Sequence, residues 1–227
     1  MKFICIPLVL TLALSCVPKV VIPDHGSEEE SPYKTTNSYV LDGKWIGEGV
    51  EIDGTIWAPV NCGYRRGSAP GGALYSWGRP DAITYHSIVK DSEAWMYVVN
   101  DELLHAADDP CPQGWRVPTD SELAKLYKGK YTPVAKDEST GLIGRSFSGV
   151  EGRVSIFLPA QGYYDSEAGE DVMVGMTGRY WSCSQTDSTA ARCMFFIDDS
   201  LQEADQPLVG STVITKMDAC SVRCVKI

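Results

Sequence analysis

The feature that most constrains the fold is a rigid turn that leads directly into a helix start, CPQGWRVPTDSEL from Cys111 to Leu123. Thr119 is a suitable N-cap, because its hydroxyl can accept the amide of Glu122 while the Glu122 carboxylate reaches back to the Thr119 amide. Apolar residues then recur at helical spacing, and Gly129 is placed to end the helix. The sequence therefore predicts a short helix over about residues 119–128, preceded by a turn and a brief strand.

Short strands and one further helix are predicted elsewhere. Asn100, followed by an acidic stretch, predicts a capped helix of about two turns. The Asp53-Gly54 dipeptide between two apolar runs predicts a hairpin over residues 50–57. Alternating apolar runs predict strands at 154–158, 179–182, 191–197 and 221–227, with long loops at 165–178 and 198–215. This order predicts an α+β fold of two short helices and short, mostly antiparallel strands joined by long loops.

The first fifteen residues have the pattern of an export signal. An apolar run follows Lys2 and ends at Ser15, and it is too short to span a bilayer. A Cys after a small residue fits a lipobox, so Cys16 is predicted to become a lipid-modified N-terminus. The alternative is cleavage nearby by ordinary signal peptidase. Residues 16–38 are charged and broken by proline, which predicts a flexible tether, and residues 39–227 have the length of one domain.

Six short sequence blocks follow one another along the predicted domain, and their order is informative. CPQGWRVPT at 111–119 is preceded by IWAPVNCGY at 56–64 and LYSWGR at 74–79, and is followed by FLPAQGY at 157–163, YWS at 180–182 and SVRCV at 221–225. Together they resemble the FISUMP or "major paralogous" domain of surface lipoproteins and fimbrial tip proteins in Gram-negative anaerobes. The resemblance covers about residues 40–227. It implies a C-type-lectin-like fold, which is shared with formylglycine-generating-enzyme-like proteins.

The cysteines indicate an exported protein. Of eight Cys, Cys5 would leave with the signal and Cys16 would carry lipid, and the even remainder of six favours disulfides in an oxidising compartment. Six Cys allow fifteen pairings, so the residues alone leave the pairing open. The resemblance implies a disulfide between Cys111 and Cys224, because lectin-like folds bridge the start of this helix to the final strand.

Two groups of residues raise the question of metal chemistry. Cys220 and Cys224 are similar to the paired cysteines of formylglycine-generating enzymes, which use copper, but two separate disulfides are the favoured interpretation. Asp81, Asp91, Asp101, Asp108 and Asp109 could supply oxygens to calcium. The Glu-Pro-Asn and Trp-Asn-Asp triplets of calcium-dependent lectins do not occur in the sequence, so solvated acids are favoured. We therefore expect no metal and no cofactor.

An aromatic platform for sugars is the candidate ligand site. Aromatic rings stack on the apolar faces of sugars, while carboxylates orient their hydroxyl groups. The two tryptophans lie within the family blocks, so core positions are the alternative for them. The candidate residues are Trp77, Arg79, Tyr164, Asp165, Trp181 and Asp187.

Charge and motifs narrow the function. A net charge of −10 disfavours nucleic acids and anionic membranes as partners. The sequence has no hydrolase triad order, phosphate loop or His-Glu-x-x-His motif. We expect a non-catalytic, lipid-anchored outer-membrane protein that faces the cell surface or the periplasm and binds a host or bacterial glycan or surface protein. The alternatives are a fimbrial tip or accessory subunit and, less favoured, an oxidase that depends on Cys220 and Cys224.

The signal pattern generates a direct prediction about the mature protein. We expect the mature chain to begin at Cys16 with lipid attached, because the apolar run ends at Ser15. Mass spectrometry of the N-terminal peptide checks this, and Cys16→Ser is the control that should abolish lipid attachment. An unmodified N-terminus at another residue would contradict the prediction.

Overall fold

Short strands dominate the described part of the chain. The computed structural model describes residues 37–83 and 108–227, which belong to the unit Ser31–Ile227. The strands are β1 Ser38–Leu41, β2 Lys44–Glu48, β3 Val50–Ile52, β4 Thr55–Trp57, β5 Leu74–Ser76, β6 Trp115–Arg116, β7 Lys130–Tyr131, β8 Ala135–Lys136, β9 Ile143–Ser148, β10 Ser155–Pro159, β11 Tyr163–Asp165, β12 Glu170–Val172, β13 Thr177–Gln185, β14 Ala190–Ile197, β15 Val209–Thr215, β16 Ala219–Ser221 and β17 Val225–Lys226. The helices are α1, Asp120–Tyr127, and a 3₁₀ turn, Asp199–Leu201.

These strands form four sheets. The largest has seven strands in the order β12-β11-β16-β13-β14-β15, with β5 also paired to β16. One four-stranded sheet has the order β3-β4-β17-β6, another has the order β10-β9-β7 with β8 paired to β9, and β1 pairs with β2. Within the described ranges, the pairing between β13 and β16 is parallel and the other strand pairings are antiparallel.

The predicted helix at 119–128 is confirmed. Thr119 caps α1 by accepting the Glu122 amide, and the Glu122 carboxylate accepts the Thr119 amide at 2.8 Å. The same carboxylate also takes two hydrogen bonds from Arg116, at 2.7 and 2.8 Å, which tie the helix start to β6. Leu123 and Leu126 are fully buried on the inner face of the helix. The local sequence is sufficient here because the cap and its partner lie within four residues of each other.

The predicted hairpin at 50–57 is also confirmed. β3 and β4 pair antiparallel around Asp53 and Gly54, whose φ angles are 48° and 74°. Two positive φ values are the requirement of a type I′ turn, which Asp-Gly satisfies at low steric cost.

The predicted α+β, C-type-lectin-like fold with two helices is wrong. One helix of eight residues stands among many strands in the described ranges, so the domain is mostly β. Much of the difference comes from the predicted loops at 165–178 and 198–215, which contain β12, the start of β13 and β15. The sequence VGSTVIT of β15 pairs along its whole length with β14, and its β-branched residues suit a strand. The helix predicted after Asn100 lies outside the described residues.

The predicted final strand at 221–227 is divided in two. β16 ends at Ser221 and pairs in the seven-stranded sheet, whereas β17 begins at Val225 and pairs in a four-stranded sheet. Between them the chain crosses from one sheet to the other. The crossing is fixed by backbone bonds from Cys62 N to Val222 O at 2.8 Å and from Ala58 N to Cys224 O at 2.9 Å. An apolar pattern alone does not reveal such a change of sheet.

Two apolar cores stabilise the domain. The first contains Tyr39, Trp77, Trp115 and Trp181 together with buried cysteines. The second joins α1 to the sheets through Trp57, Leu123, Leu126, Phe147 and Phe196. Across the described ranges, no helix has the length and apolar character needed to cross a membrane.

Among the cysteines of residues 37–83 and 108–227, one disulfide is present, and it joins Cys111 to Cys224 with an S–S distance of 2.08 Å. This is the pair that the family resemblance implied. The bond connects the turn before β6 with the residue before β17, at a sequence separation of 113. It therefore closes a large loop of the chain.

We expect Cys111→Ala to lower the free energy of unfolding strongly. Closing a loop of about 100 residues gives about 4.7 kcal/mol in the chain-entropy model, an upper value from which residual structure in the unfolded chain subtracts. Urea unfolding under non-reducing conditions measures the change. Cys183→Ala, which removes a buried thiol outside this bond, is the control and should have a much smaller effect. Equal losses in the two variants would contradict the prediction.

Candidate functional site

Three of the sequence blocks meet at the buried side chain of Arg223. This residue lies where the chain crosses between β16 and β17, and it is only 2% exposed. Its Nε donates to Asn61 Oδ1 at 2.9 Å, and its two terminal nitrogens donate to Ala58 O at 3.1 Å and Phe157 O at 2.9 Å. A guanidinium is a rigid fork of donors, so it fixes the positions of all three acceptors. Arg223 thereby links segments that are far apart in sequence.

The guanidinium is held by neutral groups. No carboxylate of the described residues forms an ion pair with Arg223. Burial lowers the pKa of Arg223 to about 10, so the side chain still carries its charge at neutral pH. A buried charge must be compensated by hydrogen bonds when it has no ion pair. The two carbonyls and the Asn61 amide provide these bonds.

Asn61 and Tyr180 extend this polar network. Asn61 Nδ2 donates to Gly71 O at 2.8 Å and to the Tyr180 hydroxyl at 3.2 Å. The Tyr180 hydroxyl donates to Pro159 O at 2.8 Å. Burial raises the pKa of Tyr180 to about 12, which keeps the phenol protonated for this bond. The network therefore holds the carbonyls of Gly71 and Pro159 in place.

Gly71 and Pro159 belong to an open groove of about 540 Å³. Ligand sites in proteins commonly have volumes of about 300–1,000 Å³, so this groove has the size of a binding site. Its walls come from several separate segments of the chain. The lining residues are 68–72 and 74, 141–143, 159–161, and 171, 174 and 175.

Gln161 is the most distinctive polar side chain in the groove. It lies directly against Gly71, where an added Cβ would clash with the Gln161 amide nitrogen. Its carboxamide forms no hydrogen bond with another described residue, although it can donate two bonds and accept two. The groove therefore contains a hydrogen-bonding group that is available to a ligand.

The two tryptophans of the proposed sugar platform are core residues. Trp77 and Trp181 are each at most 5% exposed, and their ring nitrogens donate to the backbone carbonyls of Ser182 at 2.8 Å and Tyr75 at 2.7 Å. Buried rings have no free face for a sugar, so the platform does not form on the surface. The physical reason is that each ring nitrogen donates to a carbonyl inside the core, and these two bonds hold both rings inward.

The other residues predicted for that platform each have a local structural role. Asp165 and Asp187 each accept backbone amides of their own turns, Asp165 from Glu167 and Ala168 and Asp187 from Thr189 and Ala190. Tyr164 is buried in β11, and Arg79 is half-buried with its backbone amide bonded to Ser76 O. The structure does not assemble these side chains into one site.

The cysteine pair proposed for copper is divided between two environments. Cys224 is bonded to Cys111, whereas Cys220 is a fully buried free thiol beside Cys193. Burial is the main cause that raises the pKa of Cys62 and of Cys183 to about 11 each, and it also raises the pKa of Cys220. Thiols with raised pKa values are poor nucleophiles and poor metal ligands. The structure does not bring Cys220 and Cys224 together as two free thiols.

The aspartates considered for calcium show no shared site. Asp109 accepts the amides of Cys111 and Val117 at 2.8 and 2.9 Å, and therefore shapes the turn before β6. Asp91 and Asp101 lie outside the described residues. Across residues 37–83 and 108–227, no group of three or more His, Cys, Asp and Glu is placed to hold a metal ion.

Gln161, Asn61 and Arg223 are not among the site residues that the sequence predicts. A signal was present, because Arg223 and Asn61 interrupt apolar stretches that are expected to be buried, and buried polar groups require partners. Identifying those partners needs the tertiary structure, since Asn61 and Arg223 are separated by 162 residues. Comparison of the chain with models of protein families, with curated proteins and with solved structures found no match.

We expect Arg223→Met to lower the free energy of unfolding by about 2–5 kcal/mol, because three buried acceptors lose their donor. Urea unfolding measures the change. Arg153→Met is the matched control, since Arg153 is exposed and its ion pair among the described residues is with the exposed Glu151 at 3.3 Å. The control should change stability by no more than about 0.5 kcal/mol. Equal effects in the two variants would contradict a structural role for the Arg223 network.

Proposed function

We propose that this protein is a non-catalytic binding module and that the groove around Gln161 is its recognition site. The observation that carries the proposal is the Gln161 carboxamide, which is held in a groove of ligand size without a partner among the described residues. A ligand would complete the hydrogen bonds of this group. The groove would take a glycan or a protein segment.

The floor of the groove, by which we mean the backbone at Gly71 and Pro159, is held in place by hydrogen bonds, and this supports a role in recognition. Asn61 and Tyr180 hold the carbonyls of Gly71 and Pro159, and Arg223 holds Asn61. A site whose backbone is already in place loses little conformational entropy when a ligand binds. Polar groups positioned in this way also give specificity.

The chemistry of the cysteines supports binding over the oxidase alternative. That alternative needs Cys220 and Cys224 as a pair of thiolates. Because Cys224 is bonded to Cys111, the pair is not available in this arrangement. The buried position of Cys220 further disfavours its thiolate form.

The proposed setting is the outer membrane or cell surface. The leader and Cys16 predict a lipid anchor, and residues 16–38 predict a tether between that anchor and the domain. An anchored domain on a flexible tether can reach ligands outside the membrane. We propose adhesion or surface recognition as the biological role.

The test is binding of the full mature chain to two kinds of probe, an array of immobilised glycans and a displayed library of random peptides. We expect Gln161→Ala to weaken the binding of the selected probe by roughly 5- to 100-fold, which corresponds to about 1–3 kcal/mol. Gly71→Ala should have a similar effect, because its methyl group would displace the flexible Gln161 amide.

The matched control is Gln202→Ala, which removes an exposed carboxamide outside the groove. It should bind as the unaltered protein does. Circular dichroism of each variant separates lost binding from lost folding. If the selected probe binds all three variants equally well, or if neither kind of probe binds, the groove is not the recognition site.

A further inference from the structure

The groove has an apolar wall whose side chains are unusually exposed. Val174 is 62% exposed and Ile143 is 45% exposed, and both line the groove. Met173 and Met176, on either side of Val174 and Gly175 in the chain, are also exposed, at 40% and 49%. A methyl group built on Gly175 would lie 3.7 Å from Ile143 Cδ1, so the two parts of the wall adjoin. Clustered exposed apolar residues commonly mark interaction surfaces.

This wall is held rigidly by backbone bonds. Gly175 N donates to Ala160 O at 2.7 Å, Asp198 N donates to Met176 O at 2.7 Å, and Thr177 N donates to Met173 O at 3.1 Å. Because the backbone of this wall is already fixed, it loses little further entropy when a partner covers the wall. The unbranched, polarisable side chains of Met173 and Met176 can adapt to different apolar partners.

The polar groups of the groove match a peptide better than a sugar. The Gln161 carboxamide carries the same donor and acceptor types as a peptide unit and can bond both its N–H and its C=O. Of the described residues that line the groove, none is aromatic, so no ring is available for the stacking that sugar faces favour. A protein segment is therefore the better fit to this surface.

Charge further restricts the partner. Among the described lining residues, Asp171 is the one charged side chain. The hairpin of β11 and β12 that carries it contains Asp165, Glu167 and Glu170 as well, and no Lys or Arg between residues 163 and 176. The basic residues around the groove lie outside its lining: Arg65 and Arg66 precede lining residues 68–72, Arg179 stacks on the Tyr163 ring of the hairpin at 3.4 Å, and Lys136 adjoins Gly141. The apolar wall is thus continuous with an acidic hairpin, and the whole chain has a net charge of −10.

We propose that the groove binds an extended protein segment that places an apolar side chain against Ile143 and Val174 and a basic side chain beside Asp171. The segment's backbone bonds the Gln161 carboxamide. The acidic hairpin attracts the basic residue, which gives the complex its orientation. This inference rests on the proposed recognition role of the groove and names the class of its partner.

The test selects a displayed library of random peptides on the full mature chain. An enriched peptide is then synthesised, and its binding is measured by fluorescence anisotropy. We expect the enriched sequences to combine apolar residues with Lys or Arg. Val174→Ser and Asp171→Lys should each weaken binding by about tenfold or more, because the first removes the apolar contact and the second reverses the charge contact. Binding should also weaken as salt is raised.

Two matched controls lie outside the groove. Val154→Ser alters a valine that is 50% exposed, and Glu203→Lys reverses the charge of an exposed acid. Both should bind the peptide within about twofold of the unaltered protein, a difference below about 0.5 kcal/mol. Equal losses in the controls and the groove variants would overturn the proposal.

The remaining outcomes separate this inference from the proposed function. Glycans that bind in a manner dependent on Gln161, with no peptide enriched, would overturn the protein partner but leave the recognition role of the groove. Enrichment of acidic peptides, or of peptides without apolar residues, would also overturn the inference. Binding that no groove variant changes would contradict both proposals.

Discussion

The buried guanidinium of Arg223 is the interaction on which the arrangement of this domain depends. A charge at a position that is 2% exposed is costly unless every polar contact around it is satisfied. Arg223 meets this requirement by donating to Ala58 O, Phe157 O and Asn61 Oδ1. Ala58 and Asn61 belong to one segment of the chain and Phe157 to another. Because hydrogen bonds weaken steeply with distance and angle, a large displacement of any one acceptor would leave part of this buried charge uncompensated. The charge therefore acts as a geometric constraint on the segments around it.

That constraint explains why an open groove can have a fixed floor. Residues 59–63 and 67–72 lie outside the strands, and scattered backbone bonds, such as Cys62 N to Val222 O and Ala69 N to Arg65 O, hold them in place of a continuous ladder. Asn61 instead passes the constraint from Arg223 to Gly71, and Tyr180 does the same for Pro159 at the end of β10. Small residues are needed where these segments meet: an added Cβ on Gly72 would lie 2.5 Å from Asn61 Cβ. A few side chains at the surface of the groove can then bind a ligand, because the buried network beneath them holds the backbone in place.

The disulfide reinforces the same region of the chain. Cys224 follows Arg223 directly, its sulfur is bonded to Cys111, and its carbonyl accepts the Ala58 amide. The turn that leads into α1 is thereby attached to the crossing between two sheets. Asp109 adds a second attachment by accepting the amides of Cys111 and Val117. Covalent and polar constraints thus converge within a few residues of the C-terminal crossing, where apolar packing alone leaves several registers open.

The sequence alone determined the features that depend on neighbouring residues. The capping box of Thr119 and Glu122 and the Asp53-Gly54 turn are formed by groups within a few positions of each other, so their chemistry is legible locally. The resemblance to a family implied the Cys111–Cys224 pair, which the residues alone left open. The tertiary structure decided the fold class, because β15 becomes a strand through its pairing with β14. It also decided the inward position of Trp77 and Trp181, because each ring nitrogen donates to a carbonyl that is distant in sequence. It also decided the groove, since Gln161, Gly71 and Arg223 are brought together by contacts between residues far apart in sequence, which no local pattern encodes.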